Sequence, residues 1–229
     1  MYFTYKVIYL HTKLIKECNM MKNRLLSMAF STVIGLVAFC GQANGQEVSL
    51  PAPTKSEVNG SLTKALLDRR STRAFTNKEI SDQTISDLLW AANGVNRADG
   101  KRTAPSARNM QDVIIYVGKA DGTFRYDAKA NKLVKIGSSD LRKAVAGRNQ
   151  FIKTAPMVLV IASDTERQNG NMALCGIDAG TVVQNVYLYC AANGLGTVCC
   201  YAGEKPESVQ KFLGIKPSIV PLVYMPVGY

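Results

Sequence analysis

The sequence has almost no histidine. His11 is the single histidine among 229 residues, and it precedes an apolar run at 25–40. A mature chain that begins after this run has no histidine. This excludes a Ser-His-Asp triad, a Cys-His nucleophile pair and a zinc site with histidine ligands. Any enzymatic chemistry would then depend on a bound cofactor.

Cysteines are also few, and their spacing fits neither a metal motif nor a disulfide framework. Of the six cysteines, Cys175, Cys190, Cys199 and Cys200 follow the apolar run, without a CxxC pair. Cys175 and Cys190 fall in one predicted helix, where their separation corresponds to about 22 Å, too far for a disulfide. Adjacent residues of a strand point to opposite faces, which argues against a Cys199–Cys200 redox pair. We expect buried free thiols and no metal site.

Long basic runs are absent as well. The net charge of +11 could indicate a nucleic-acid ligand. However, the lysines and arginines are scattered along the chain, and no run of five basic residues occurs. The aromatic residues lie mostly in apolar segments. The composition therefore argues against nucleic-acid binding.

Residues 21–45 have the three-part pattern of a secretory signal peptide, with a basic start, the apolar run Leu25–Cys40 and a polar exit. We expect cleavage before Gln46 and export, with the periplasm as the predicted location. The apolar run of about 16 residues is short for a permanent membrane anchor, which is the alternative. Lipid attachment at Cys40 is another alternative, although Phe39 stands where that processing needs a small side chain. Residues 1–20 are interpreted as an upstream extension.

Residues 46–229 suit a single domain. The polar, proline-containing residues 46–59 predict an exposed lead-in, and residues 60–229 the folded domain. Hydrophobic periodicity predicts helices at 60–68, 81–92, 138–146, 171–192 and 206–213, and strands at 112–117, 123–126, 132–136, 157–162, 197–200 and 219–227. We interpret the strands at 123–126 and 132–136 as a surface hairpin. The order predicts an α+β fold whose central sheet is mixed, mainly antiparallel, and flanked by helices.

The segment Arg69-Arg70-Ser71-Thr72-Arg73 places three guanidinium groups and two hydroxyls within five residues. Guanidinium forks match phosphate oxygens, and a hydroxyl can add a further hydrogen bond. This favours a phosphate-bearing ligand. Alternatively, Arg69 and Arg70 offset the negative end of the preceding helix while Arg73 is solvated. These residues alone do not decide between the two interpretations. A second candidate is the long polar loop 96–111, because loops of this length are commonly functional.

Four segments, in order, resemble the FMN-dependent nitroreductase family and its thiazole/oxazole-dehydrogenase branch. They are Arg69–Phe75, Ala104–Asn109, Gly147–Pro156 with Gln150, and Asp178–Gly196 with its Asn193-Gly194-Leu195-Gly196 end. Together they extend over most of residues 60–229. The resemblance implies a homodimer with FMN at the subunit interface. It also implies that the flavin, and no side chain, performs the chemistry.

The resemblance further implies roles for particular residues. Arg69 and Arg73 would hold the FMN phosphate and the polar edge of the isoalloxazine, assisted by Ser71 and the backbone of Arg70. Asn109, with Ser106 beside it, would hydrogen-bond the flavin or its ribityl chain. The turn Cys200–Gly203 would support the other face of the flavin through a backbone N–H. The predicted cofactor-binding residues are Arg69, Arg70, Ser71, Arg73, Ser106, Asn109, Cys200, Ala202 and Gly203.

Many relatives have a basic residue after the last strand that reaches the phosphate. In this sequence Arg102, Arg108 or Lys205 would have to replace it.

The activity implied by the resemblance is ping-pong reduction of nitroaromatics, quinones or similar electron-poor small molecules. NAD(P)H is the usual donor of relatives, and an exported enzyme suggests an extracytoplasmic reductant instead, such as a quinol or a redox protein. Two alternatives stay open: an exported flavin-binding protein with little turnover, and a dimeric interaction scaffold without cofactor.

Overall fold

The computed structural model describes residues 46–54, 61–203 and 206–229. The predicted upstream extension, the signal peptide and Cys40 lie outside these ranges, as do Lys205, residues 55–59 of the predicted lead-in and residue 60. None of the helices within these ranges is long and apolar enough to cross a membrane.

The described residues form an α+β domain. The strands are β1 Glu47–Ser49, β2 Val113–Lys119, β3 Gly122–Asp127, β4 Lys132–Gly137, β5 Met157–Asp164, β6 Gly196–Thr197, β7 Cys200–Tyr201 and β8 Ile219–Gly228. The helices are α1 Leu62–Asp68, α2 Asp82–Asn93, α3 Leu141–Val145, α4 Met172–Ala192 and α5 Glu207–Leu213. Short 3-10 helices occur at Ala107–Asn109, Gln150–Lys153 and Thr165–Gln168.

The strands form one sheet in the order β1-β4-β3-β2-β5-β8-β6, and β7 also pairs with β8. Each of these pairings is antiparallel. A parallel bridge joins Ser71 to Thr197 beside β6. The predicted fold class, a mainly antiparallel sheet with flanking helices, is confirmed.

The central strand β5 is buried along its whole length, as its continuous apolar sequence predicts. Its side chains alternate between two cores, because successive residues of a strand point to opposite faces. Met157, Leu159 and Ile161 belong to the core that includes residues of α2 and α4. The intervening residues, such as Val158 and Val160, belong to the core that includes residues of α3 and α5.

The longest helix, α4, positions much of the candidate site. Asn171 caps its N-terminus, where its side chain accepts hydrogen bonds from the N–H groups of Ala173 and Leu174. One side of the helix packs in the core through residues such as Val182 and Val186. The other side leaves an exposed stripe of mostly small and apolar residues. The stripe consists of Ala173, Gly176, Ile177, Gly180 and Gln184.

Two sequence-based interpretations of the sheet were wrong. The hairpin of β3 and β4 is not a surface feature, because β3 lies between β2 and β4, and Phe124, Tyr126 and Leu133 are core residues. The predicted strand 197–200 is divided into β6 and β7, which both pair with β8. Strand β1 lies in the predicted lead-in and pairs with β4, and no sequence pattern indicated it.

The described cysteines are all free thiols, as expected. Cys175, Cys190 and Cys200 are buried, but Cys199 is exposed, which corrects the expectation of burial for all four. The reason is that Cys199 lies between β6 and β7, where the chain leaves the ladder, and not inside a continuous strand.

Candidate functional site

The arginine segment, Arg69–Arg73, begins at the C-terminal end of α1 and lies alongside β6. Arg69 ends the helix, and its N–H donates to the carbonyl oxygen of Ala65 at 2.9 Å. The N–H of Thr72 then donates to the carbonyl oxygen of Thr197 at 2.8 Å. A Cβ atom on Gly196 would lie 2.6 Å from Cγ2 of Thr72, so the two backbones approach closely because residue 196 is glycine. The segment therefore has a fixed position against β6.

Tyr187 of α4 joins this segment to the chain that follows β6. Its hydroxyl lies 3.1 Å from Oγ of Ser71 and accepts the N–H of Cys199 at 2.8 Å. The guanidinium carbon of Arg69 lies 5.3 Å from the centre of the Tyr187 ring, within cation–π distance. One buried tyrosine thus contacts the arginine segment at two residues and the β6–β7 connection at a third.

The arginine segment is a concentration of unpaired positive charge. Within the described ranges, Arg69, Arg70 and Arg73 form no ion pair with a carboxylate. Arg70 and Arg73 are exposed. The neighbouring Thr197 has a buried hydroxyl oxygen without a hydrogen-bond partner in the described part of the chain. Guanidinium groups free of carboxylates suit an anionic group such as a phosphate monoester.

The predicted turn Cys200–Gly203 directly follows Cys199, whose N–H donates to the Tyr187 hydroxyl that also contacts Ser71 of the arginine segment. Burial and the neighbouring Cys199 raise the pKa of the Cys200 thiol, while the positive charge of Arg73 opposes this increase. The N–H of Ala202 donates to the carbonyl oxygen of Leu222 at 3.1 Å, so this N–H already has an acceptor. Gly203 has φ of 89°, a left-handed conformation that favours glycine.

Ser106 and Asn109 belong to a second group of residues in a strained loop. The Ser106 hydroxyl oxygen accepts the N–H of Gln111 at 2.9 Å, and the N–H of Asn109 donates to the Ser106 carbonyl at 2.9 Å. Arg108, Asn109 and Gln111 have φ of 53°, 56° and 49°. Positive φ is uncommon outside glycine, and such strain persists only where the surroundings fix it.

Asp178 of α4 holds this loop through its backbone. Both of its carboxylate oxygens accept the N–H of Ala107, at 2.9 and 3.0 Å. The amide of Gln168 donates to Asp178 at 2.8 Å and to Asp112 at 3.0 Å, so it bridges the two buried carboxyl groups. Burial, followed by a hydrogen bond with Asp112, raises the pKa of Asp178. Burial and the neighbouring carboxyl group therefore favour the protonated form of Asp178.

The two groups lie apart within one chain. Tyr187 and Asp178 are nine residues apart in α4, which corresponds to about 13 Å along the axis and about half a turn around it. The arginine segment and the turn Cys200–Gly203 are placed together, whereas Ser106 and Asn109 form the second group. Arg102 and Arg108 belong to this second group as well, through hydrogen bonds to Gln111 and Gln168.

A cleft of about 840 Å³ opens elsewhere, lined by residues that include Ile80, Lys119, Arg142, Lys153 and Met157. None of the nine predicted cofactor-binding residues lines it. We therefore do not assign the candidate site to this cleft.

Two residues that organise the candidate site were not predicted. Asp178 stands between Ile177 and Ala179 in an otherwise apolar helix, and a lone carboxylate in such a pattern could have indicated a buried polar contact. Tyr187 gave no such signal, because a tyrosine at helical spacing usually belongs to the core. Its partner Ser71 lies 116 residues away.

Comparison with known proteins gives a family. The model of the Nitroreductase family matches residues 66–229, which is most of the chain. The chain belongs to the nitroreductase family. MJ1384 of Methanocaldococcus jannaschii, provisionally named a nitroreductase, is 32% identical in an alignment of 198 residues that covers 80% of this chain and 98% of its own length.

Solved nitroreductase structures have the same fold. A protein from Ralstonia eutropha JMP134, also provisionally named a nitroreductase, is 29% identical over 82% of this chain and 90% of its own, with a TM-score of 0.74. A nitroreductase-like protein from Desulfovibrio desulfuricans, solved in complex with FMN, is 22% identical over 74% of this chain and 86% of its own, with a TM-score of 0.55. At that identity the second similarity concerns the fold alone.

Proposed function

We propose that this nitroreductase-family protein is an FMN-dependent oxidoreductase that reduces nitroaromatics, quinones or similar electron-poor small molecules. The observation that carries the proposal is the arginine segment, which has three guanidinium groups without a carboxylate partner in the described ranges. Its backbone is bonded to β6, and its Arg69 guanidinium lies over the Tyr187 ring. The FMN complex of the D. desulfuricans structure supports the choice of cofactor.

The residues present fit FMN. Arg69, Arg73 and Ser71 would hold its phosphate and the polar edge of its ring system, because forked donors and a hydroxyl complement anionic oxygens. Positive charge near the flavin also favours its reduced, anionic form. When bound, FMN supplies hydride or electron transfer, chemistry that the arginine and serine side chains do not themselves provide. The turn Cys200–Gly203 would support one face of the bound flavin.

The second group would complete the site from another subunit. The exposed stripe of α4 is on the same side of the helix as Tyr187, at helical spacing from it. An added Cβ at Gly176 or Gly180 would meet no atom within 4 Å, so this surface is open to a second helix. In a two-fold dimer with antiparallel α4 helices, the N-terminal half of one helix would pack on the C-terminal half of the other. Asp178, on the inner side of the N-terminal half, anchors the loop of Ser106 and Asn109. Ser106 and Asn109 of the partner would then approach the arginine segment.

The electron donor is part of the proposal. NAD(P)H is named for a neighbour from Parabacteroides distasonis with the same fold, which is 21% identical with a TM-score of 0.56. The predicted signal peptide favours export to the periplasm, where a quinol or a redox protein would serve as donor. Reduction of the bound flavin by NADPH at ordinary enzymatic rates would argue against a dedicated extracytoplasmic reductant.

The function is tested by turnover of the FMN-loaded protein. A chemical donor such as dithionite first reduces the flavin without air, and a nitroaromatic or a benzoquinone is then added while the flavin absorbance is followed. We expect the oxidised spectrum to return with equivalent consumption of acceptor. Stable FMN binding without this return would favour the flavin-binding alternative, and failure to bind FMN would refute both.

A further inference from the structure

The relationship of Tyr187 to the arginine segment extends beyond packing. The residue is 8% exposed, yet its hydroxyl has two polar neighbours on two different segments, Ser71 and Cys199. A buried tyrosine hydroxyl usually finds a hydrogen-bond partner, and it can both donate and accept. Here a single side chain joins α4, the arginine segment and the β6–β7 connection.

The hydrogen-bond directions have a consequence for Ser71. The N–H of Cys199 can only donate, so it occupies an acceptor position of the Tyr187 oxygen. The Tyr187 proton is then available for Oγ of Ser71, 3.1 Å away. If Tyr187 donates, Ser71 keeps its own proton, and Ser71 is an exposed residue. Ser71 would therefore present a donor toward an anion beside the arginines.

The Tyr187 ring also positions the Arg69 side chain. The guanidinium carbon lies 5.3 Å from the ring centre, which restricts a side chain that otherwise has many rotamers. Arg69 forms no ion pair in the described ranges, so the ring is the group that orients it. Tyr187 thus arranges one charged and one neutral donor at once.

We propose that Tyr187 is the positioning residue of a phosphate-monoester site formed by Ser71 and Arg69, and that it thereby sets the preference of the protein for a phosphorylated flavin over its dephosphorylated form. This inference rests on the proposed function for the identity of the ligand. The anion site itself is inferred independently of the proposed function, from the contacts of Tyr187 with Ser71 and Arg69.

The experiment compares the full-length protein with Tyr187→Phe and Tyr189→Phe. Tyr189 is the matched control because it lies two residues along α4 and its hydroxyl reaches the carbonyl oxygen of Thr84 at 3.4 Å, away from the arginines. Dissociation constants of FMN and riboflavin are measured for each variant by quenching of flavin fluorescence, and folding is checked by circular dichroism. Ser71→Ala and the double variant Ser71→Ala/Tyr187→Phe complete the series.

We expect Tyr187→Phe to weaken FMN binding about tenfold and to change riboflavin binding less than about twofold, because the lost hydroxyl organises phosphate donors only. Tyr189→Phe should change neither. The double variant should bind FMN no more weakly than Ser71→Ala alone, since Tyr187 acts through Ser71. Equal weakening of both flavins, unchanged FMN binding, or additive effects of the two substitutions would overturn the inference.

A wild-type protein that binds neither flavin would refute the proposed function, and inorganic phosphate then decides the inference. Phosphate should raise the melting temperature of the wild type and raise that of Tyr187→Phe less. No stabilisation by phosphate, or equal stabilisation of both, would overturn the role of Tyr187 as well.

Discussion

Asp178 accepts the N–H of Ala107 with both carboxylate oxygens, at 2.9 and 3.0 Å, and so connects the N-terminal half of α4 to the loop of Ser106 and Asn109. The loop has three residues with positive φ, a conformation that needs such an external restraint. Asp178 is itself 2% exposed and bridged by Gln168 to a second buried carboxyl group, Asp112. The geometry of the Ser106–Asn109 loop is therefore linked to the protonation of Asp178.

Replacement of Asp178 by alanine should be strongly destabilising. The N–H of Ala107 and the amide of Gln168 would lose a buried acceptor, and each unsatisfied group costs about 1 to 3 kcal/mol. We expect the free energy of unfolding, measured with urea, to fall by about 3 kcal/mol. Asp127→Ala, at a β3 residue whose side chain accepts N–H groups of an exposed turn, is the control and should cost less. Equal losses for the two variants would contradict the role of Asp178.

The raised pKa of Asp178 predicts a particular pH dependence. Because the folded protein favours the protonated carboxyl, its contribution to stability is complete below the ordinary pKa near 3.8 and decreases as pH rises through the raised pKa. Asp178→Asn cannot ionise. Above pH 4, the unfolding free energy of this variant should therefore decrease less with rising pH than that of the wild type. Parallel curves for wild type and variant would show that the carboxyl does not titrate in this way.

Arg142 should stabilise the fold through Asp140. Its guanidinium donates to both oxygens of this carboxylate at 2.9 Å and to the carbonyl oxygen of Ala155 at 2.9 Å. Hydrogen bonding to Arg142 lowers the pKa of Asp140, so the contribution is present above pH 3.8 and lost as pH falls through the lowered pKa. Arg142→Met should cost about 3 kcal/mol at pH 7 and less at pH 3. Exposed Lys143→Met, the control, should cost under about 0.5 kcal/mol.

Gly196 should be required for the position of the arginine segment. Alanine at this position would bring a Cβ atom to 2.6 Å from Thr72, whose N–H is fixed on Thr197. We expect Gly196→Ala to cost about 1 to 3 kcal/mol and to weaken FMN binding. Gly118→Ala is the matched control, because it would clash with Leu141 at 2.6 Å and should destabilise without changing FMN affinity. Normal FMN binding by folded Gly196→Ala would contradict the site.

The proposed dimer can be tested on the exposed stripe of α4. Gly180→Arg would place a long cation where a second α4 helix is expected, while glycine replacement favours the helix by roughly 0.8 kcal/mol and so should not unfold the monomer. We expect the variant to be monomeric in analytical ultracentrifugation and to bind FMN weakly. Gly137→Arg, also at an open position, should remain dimeric. A dimer of Gly180→Arg with normal FMN binding would exclude this interface.

Much of the fold could be predicted from local sequence patterns. Ser81 and Asn171 marked two helix starts, and the apolar run from Met157 marked the central strand, because caps and periodicity are local properties. The β3–β4 hairpin was misplaced since a strand buried by neighbours and a surface strand can have similar sequences. Strand β1 was missed because its three residues, Glu47–Ser49, have no pattern of their own.

The candidate site was predictable in its residue types but not in its arrangement. The arginine cluster and the loop 96–111 stood out by composition, and the arginine cluster and Ala104–Asn109 by family resemblance. The division into two groups depends on the positions of Tyr187 and Asp178 along α4, and on contacts that span 116 and 71 residues of sequence. Local patterns contain no information on such distant partners.

The visible absorbance spectrum of the purified full-length protein tests the central claim most directly. The wild type should show bound flavin, identified as FMN after release by heat, whereas Arg69→Ala and Arg73→Ala should each bind it roughly 10- to 100-fold more weakly. Arg125→Ala, at an exposed arginine of β3, is the control and should bind FMN normally. A colourless wild type that takes up no added FMN would contradict the account.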